Sequence, residues 1–202
     1  RLNDTREHTE ETDGCAVDGV EIRVVDDNRH EVPHGQEGEE ASRGPQVFVG
    51  YWGEPEMTAR ALDADGWYYS GDYCRTDSEG RYIRITGRKK DIIVRGGENI
   101  SSREVEDIVL EYPGVREAAV VAMPDERLGE RSCACVSMRP GAPAMHLTDL
   151  VAFFDGRRVA KYKFPEYLVV LDALPRTSSG KLQKFALARM VRERVAAGQP
   201  SD

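Results

Sequence analysis

Lys181 ends the run Pro175-Arg-Thr-Ser-Ser-Gly-Lys181, a stretch of turn-forming residues placed just before the last amphipathic segment of the chain. A lysine ammonium is a compact charge carrying three donors. In such a loop it can hold a carboxylate oxygen and an α-phosphate oxygen together and stabilise the charge that develops when one attacks the other. Taken singly, a loop lysine is ordinarily solvated surface. Asp72, in Ser70-Gly-Asp72, follows a glycine at the end of an aromatic run; its carboxylate can accept two hydrogen bonds from vicinal hydroxyls such as those of a ribose. The plain alternative is a turn-stabilising aspartate.

A third segment, Gly87-Arg-Lys-Lys-Asp-Ile-Ile-Val-Arg-Gly-Gly-Glu-Asn-Ile100, joins charge to glycine in a way that packing does not require. Arg88 can grip a phosphate through two parallel bonds, against the alternative of a surface arginine. Lys90 lies in a charged junction between two differently patterned halves, where a hinge would sit. Gly96 and Gly97 can take positive φ and let backbone approach a ligand closely, although paired glycines more often mark a tight turn.

The elements that would position these groups change character at Gly87. The first twenty residues are polar and read as an irregular surface entry. Val20–Val25 alternates apolar and polar and predicts a strand; Gln46–Val49 is a second candidate, and Trp67–Tyr69 and Arg81–Ile85 are further ones. Turn residues between them predict a β-dominated, antiparallel region. Beyond Gly87 helices alternate with strands. Ser101 with Glu104 forms a possible capping box, and Val105, Ile108, Val109 and Tyr112 follow the spacing of one buried helical face, stopped by Pro113-Gly114. Residues 117–123, 132–138 and 167–171 read as strands. Leu147, Leu150, Val151 and Phe154 predict a helix, and Leu182, Phe185, Leu187, Met190 and Val191 place an apolar face on a last one that frays towards Ala196, Ala197 and Gly198.

With 202 residues and 40% hydrophobic content, the chain can build one large domain or two small ones. No run of 18 apolar residues and no apolar leader is present, which predicts a protein of the cytoplasm without a membrane span. The net charge of −8 is uneven: residues 1–66 hold 17 acidic and 6 basic side chains, and the remainder carries 22 basic against 19 acidic. The acidic first part argues against general nucleic-acid binding, and the basic residues beside glycines later on suit a phosphate-bearing ligand. Cys15, Cys74, Cys133 and Cys135 match neither a CxxC pair nor a disulfide framework and read as reduced thiols. Cys133 and Cys135 share one face of a strand, and no residue completes a metal site around them.

Taken in order, Asp65-Gly-Trp-Tyr-Tyr-Ser-Gly-Asp72, Ile85-Thr-Gly-Arg-Lys-Lys-Asp-Ile-Ile93, Gly96-Gly-Glu-Asn-Ile100 with Glu104-Val-Glu106, and Leu174-Pro-Arg-Thr-Ser-Ser-Gly-Lys181 resemble the late signatures of the acyl-adenylate-forming superfamily. That superfamily includes acyl-CoA synthetases, peptide synthetase adenylation domains and luciferases. The likeness extends upstream through Pro33-His-Gly35, Gly38-Glu39, Arg43-Gly-Pro45, Gly50-Tyr51 and Pro55-Glu56, so it covers nearly the whole chain.

The resemblance implies an α+β fold: residues 1–87 as the β-rich end of a large N-terminal domain, and 88–202 as a small mobile C-terminal domain. It implies that Asp72 binds the ribose hydroxyls of ATP or AMP, that Arg88 contacts the ribose and phosphate region, and that Lys181 aligns carboxylate and α-phosphate. Lys90 becomes the pivot between adenylate and thioester formation, with Gly96 and Gly97 facing the pantetheine channel in the second state. The implied substrates are a carboxylic acid, ATP with Mg2+, and CoA. The family's Ser/Thr/Gly-rich phosphate loop and its acyl pocket have no counterpart here, which predicts a piece inactive by itself. Lys90 stands where many relatives have aspartate, and Arg95 where lysine is frequent. The Lys-Lys-Asp order and Gly-Gly-Glu-Asn-Ile look more like fatty or aryl acyl-CoA synthetases than like domains that load a carrier protein; a non-catalytic binding module of the same fold is the third possibility.

Overall fold

The computed structural model describes residues 4–196. They fall into two compact units that divide between Lys90 and Asp91.

In the first unit the chain runs through α1 (Arg6–Glu11), β1 (Gly14–Cys15), β2 (Glu21–Val25), β3 (Gly38–Arg43), α2 (Pro55–Ala61), β4 (Tyr68–Thr76) and β5 (Tyr82–Arg88). The strands form one sheet in the order β1-β5-β4-β3-β2, antiparallel throughout. Its small core joins Val25, Ala41, Trp67 and Tyr69, and the Arg23 guanidinium stacks 4.0 Å over Trp67. The entry is more ordered than its polarity predicts: Thr5 caps α1 by accepting from the His8 N–H, and the His8 ring stacks on Tyr82 at 3.8 Å.

The expected strand at Gln46–Val49 is absent. Val47 instead closes a turn onto the Gly44 carbonyl, Val49 is fully exposed, and Phe48 packs edge-on against Tyr51 and Tyr68. The strand beside β2 is β3, whose sequence is largely polar. It forms because β2 and β4 satisfy its backbone on both sides. Gly38 is required at its start, since a Cβ there would lie 2.4 Å from the Val25 carbonyl oxygen.

A 3₁₀ turn, Lys89–Asp91, leads on from β5. The second unit then contains β6 (Ile92–Arg95), β7 (Glu98–Ser101), α3 (Ser102–Leu110), β8 (Val115–Asp125), β9 (Gly129–Met138), α4 (Leu147–Asp155), β10 (Tyr167–Val170) and α5 (Lys184–Ala196). The sheet order is β10-β9-β6-β7, with β8 also paired to β9; β10 joins β9 in parallel and the other pairs are antiparallel. Period-two alternation divides the core. Val120, Ala134 and Val136 face α3 and α4 through Val105, Val109, Leu150 and Phe154, while Ala119, Val121, Cys133 and Cys135 face α5 through Leu187 and Val191.

The signals expected for α3 have a structural counterpart, with Val105 and Val109 buried. Ser101 caps α3 through its hydroxyl, which accepts the Glu104 N–H, whereas the Glu104 carboxylate pairs with Lys163 at 2.6 Å. Phe185 departs from expectation: it is 82% exposed, and α5 buries Leu187 and Val191 instead. The predicted fraying at Ala197 and Gly198 lies outside the described residues.

Candidate functional site

Asp72 does not end a strand but sits within β4, directly opposite Arg88 on β5. The pairing places Arg88 Nε 2.9 Å from Asp72 Oδ1. A β-bulge follows between Tyr73 and Cys74, and Gly71 before it has φ +73°, so the backbone bends around the aspartate. Local bonds hold that bend: the Asp72 N–H donates to Ser70 Oγ, the Ser70 hydroxyl donates to the Glu40 carbonyl, and the Gly71 N–H donates to the Glu39 carboxylate. Beneath lies Glu40. Burial pushes its carboxyl up, the Ser70 and Ser42 hydroxyls work against that, and the charges of Asp72 and Glu39 add to it.

Lys89 reaches the Glu39 carboxylate at 3.0 Å and Asp27 at 2.9 Å. Its burial disfavours the charged ammonium, yet the two carboxylates outweigh that and hold it above the ordinary lysine value. Lys90 is exposed, and Asp91 belongs to the second unit through the Ser102 hydroxyl, which donates to its carbonyl, and through Lys184, 3.5 Å from its carboxylate.

Gly96 and Gly97 form the two-residue turn of the β6–β7 hairpin, with φ of +59° and +90° following the last pair Arg95↔Glu98. Positive φ at both central residues suits the turn that matches strand twist, which is why glycines stand there. The hairpin tip is tied down: the Gly96 N–H donates to the Leu128 carbonyl at 2.7 Å, and Arg95 grips Glu166 with two bonds of 2.9 Å. A Cβ on Gly97 would meet nothing within 4 Å.

The Lys181 loop is folded back on itself. Arg176 and Leu182 bridge its base, the Thr177 N–H donates to the Lys181 carbonyl at 2.8 Å, and the Lys181 N–H donates to Thr177 Oγ1 at 3.0 Å. Gly180, with φ +83°, turns the chain. The Arg176 guanidinium donates to the Gly180 carbonyl at 2.7 Å and to the Glu117 carboxylate on β8. That bond from Arg176 holds the Glu117 carboxyl below the usual range. After the loop, Lys184 opens α5 with its ammonium 2.7 Å from Glu106 Oε1 on α3, the same oxygen that accepts the Val120 N–H at 2.7 Å. Lys181 itself is exposed, and its ammonium has no ion-pair partner among the described residues.

Asp72 and Arg88 are therefore brought together in the first unit, while Gly96, Gly97 and Lys181 belong to the second. Sequence reasoning passed over Arg176, Glu117, Lys184 and Glu106. The available signal was Glu106 itself, a carboxylate between Val105 and Val109 in a helix whose neighbouring positions are core.

Two family models match the chain: AMP-binding enzyme over residues 1–52, and AMP-binding enzyme C-terminal domain over residues 104–181. The second match runs from Glu104 on α3 to Lys181 and so contains the braced loop.

The chain belongs to the AMP-binding enzymes.

Among its relatives in this family, a medium-chain fatty-acid–CoA ligase of Escherichia coli (strain K12) is 62% identical over 194 residues, 96% of this chain and 34% of that protein. A 2,3-dihydroxybenzoate–AMP ligase of Bacillus subtilis (strain 168) is 39% identical over 98% of this chain and 36% of its own length. Among solved structures, ATP-bound MatB from Rhodopseudomonas palustris superposes with a TM-score of 0.83 at 35% identity, over 91% of this chain and 36% of that one. The chain thus spans about a third of the length of these AMP-binding relatives, and its α+β fold is theirs.

Proposed function

We propose that this chain works as the C-terminal part of an ATP-dependent acyl-CoA synthetase. The carboxylic acid attacks the α-phosphorus of ATP to give acyl-AMP and pyrophosphate; the CoA thiol then attacks the acyl carbon, and AMP leaves. The observation that carries the proposal is Lys181, whose loop is hydrogen-bonded and braced while its ammonium stays unpaired among the described residues. A charge kept from internal partners in a fixed loop is available to an anionic substrate.

In this scheme Lys181 aligns carboxylate and α-phosphate, Asp72 takes the ribose hydroxyls, and Arg88 contacts ribose and phosphate. The first unit, which extends three residues past the expected boundary at 87, ends the large domain, and the second is the small one; it turns at Lys90 and offers Gly96 and Gly97 to the pantetheine arm in the second half-reaction. Mg2+ accompanies the triphosphate, and no residue of this chain is assigned to it. The phosphate loop and acyl pocket belong to an N-terminal region outside these residues. No helix among the described residues is long and apolar enough to cross a membrane, and the setting proposed is the cytoplasm. The 39% identity to a 2,3-dihydroxybenzoate–AMP ligase supports an aromatic acid as an alternative substrate; a carrier-protein thiol in place of CoA is the second reading of the acceptor.

The test joins this chain to the N-terminal region of the Escherichia coli relative and supplies ATP, Mg2+, CoA and medium-chain acids. The joined enzyme forms acyl-AMP and thioester, and the chain alone forms neither. Lys181→Ala lowers adenylation about 100-fold or more, the scale of losing one preorganised transition-state donor, while thioester formation from supplied acyl-AMP suffers less. Unchanged adenylation in Lys181→Ala removes the proposal.

A further inference from the structure

We infer that Arg176 and Lys184 are positioning residues for Lys181, gripping its loop from both ends. The inference rests on the proposed role of Lys181 and adds the means by which the ammonium is held.

The loop has no buried side chain between Pro175 and Lys181; Leu174 before it is buried and Leu182 after it packs on the same core, so packing places the ends of the loop and not the stretch between them. Its internal bonds, Thr177 with Lys181 and Gly180 with Thr177, define its shape and not its place on the fold. Two side-chain contacts add the brace that packing of the ends does not give. On the N-terminal side Arg176 spans from the Gly180 carbonyl, one residue before Lys181, to Glu117 on β8, and Glu117 is itself fixed by the Ser137 hydroxyl at 3.1 Å. On the C-terminal side, three residues after Lys181, Lys184 reaches Glu106 at 2.7 Å and Asp91 at 3.5 Å. Glu106 is only 9% exposed, and its Oε1 also takes the Val120 N–H, so that anchor is part of the β8–α3 framework. The groups facing these braces are Arg116, Glu117, Ser137, Asp91, Ser102 and Glu106.

The two braces differ in kind. Arg176 and Glu117 are partly solvated, so breaking them costs little fold stability. Removing Lys184 leaves a buried carboxylate unpaired, which threatens the fold. Arg176 is therefore the cleaner probe, and Lys184→Arg is the conservative variant for the other end.

In the joined enzyme, Arg176→Gln is expected to lower kcat for acyl-AMP formation about 10- to 100-fold, the range for a reacting group displaced by about 1 Å. KM for ATP stays within about threefold and the thermal midpoint is held. Thioester formation from supplied acyl-AMP is retained, and Lys184→Arg keeps most adenylation. In the chain itself, hydrogen exchange of the Lys181 amide speeds up in Arg176→Gln. Equal losses in both half-reactions, or no loss in adenylation while Lys181→Ala abolishes it, overturn the bracing. Unchanged adenylation in Lys181→Ala instead overturns the role of Lys181, so the two failures are told apart.

Discussion

Arg88 and Asp72 face each other across β5 and β4, with Nε 2.9 Å from Oδ1, in a position that register and not sequence proximity creates. A carboxylate held this way by a neighbouring cation keeps its remaining lone pairs for a ligand.

If that carboxylate receives ribose hydroxyls, Asp72→Ala in the joined enzyme raises KM for ATP about 10- to 100-fold, matching hydrogen bonds to a charged group of about 1.5–3 kcal/mol. ATP–pyrophosphate exchange at varied ATP measures it. An unaltered KM would show that Asp72 serves only the β4 bend.

Lys90 stands between two anchored neighbours: Lys89 is tied to Glu39 and Asp27, and Asp91 to Ser102 and Lys184. Each anchor lies within one unit, so backbone rotation confined to residue 90 strains neither. Lys90→Pro fixes φ there. The expected outcome in the joined enzyme is that one half-reaction proceeds while the steady-state rate of thioester production falls at least about tenfold, for a step that depends on hinge rotation. Normal progress of both half-reactions removes the hinge assignment.

Phe154→Ala in the isolated chain is expected to destabilise the second unit by about 3–5 kcal/mol, because the ring, carried on α4, is fully buried in the core and packs edge-on against Phe164. Phe185→Ala, at an 82% exposed site, stays within about 0.5 kcal/mol. Urea unfolding of the two variants against the parent chain separates them; a large loss at Phe185 would contradict the orientation of α5.

Burial pushes the Cys74 thiol up to about 12, and a hydrogen bond with Cys135 together with burial pushes Cys133 above its ordinary value. At pH 8 only about one Cys74 in ten thousand is then a thiolate, the form that reacts. A chromogenic disulfide reagent is therefore expected to titrate one thiol in the native chain, the half-buried Cys15, and all four after unfolding in denaturant. Rapid reaction of three or more native thiols would mean that β4 or β9 is not packed as described.

Much of the fold could be read before any coordinates. The capping serine before α3, the helical spacing of Val105 and Val109, and the alternation that places Cys133 with Cys135 are local signals, and local backbone physics is enough to produce them. So are the turn glycines: Gly96 and Gly97 adopt the positive φ that no other residue takes cheaply. Where reading failed, the deciding partner lay far along the chain. β3 carries no apolar period, and its strand state comes from the hydrogen bonds of β2 and β4. Gln46–Val49 looks like a strand, but Val47 closes a turn onto Gly44 and the segment pairs with no strand among the described residues.

The sequence by itself determined the family motifs and their order, and with them Asp72, Arg88, Lys90, Gly96, Gly97 and Lys181 as the residues worth testing. Tertiary structure alone decided that Arg88 meets Asp72, that Lys89 and Asp91 are tied within separate units, and that Glu117 and Glu106 hold the Lys181 loop. Residue type and spacing specify what a side chain can do. Which carboxylate it meets depends on strand register and helix packing, and those are set by the burial and backbone pairing of the whole unit.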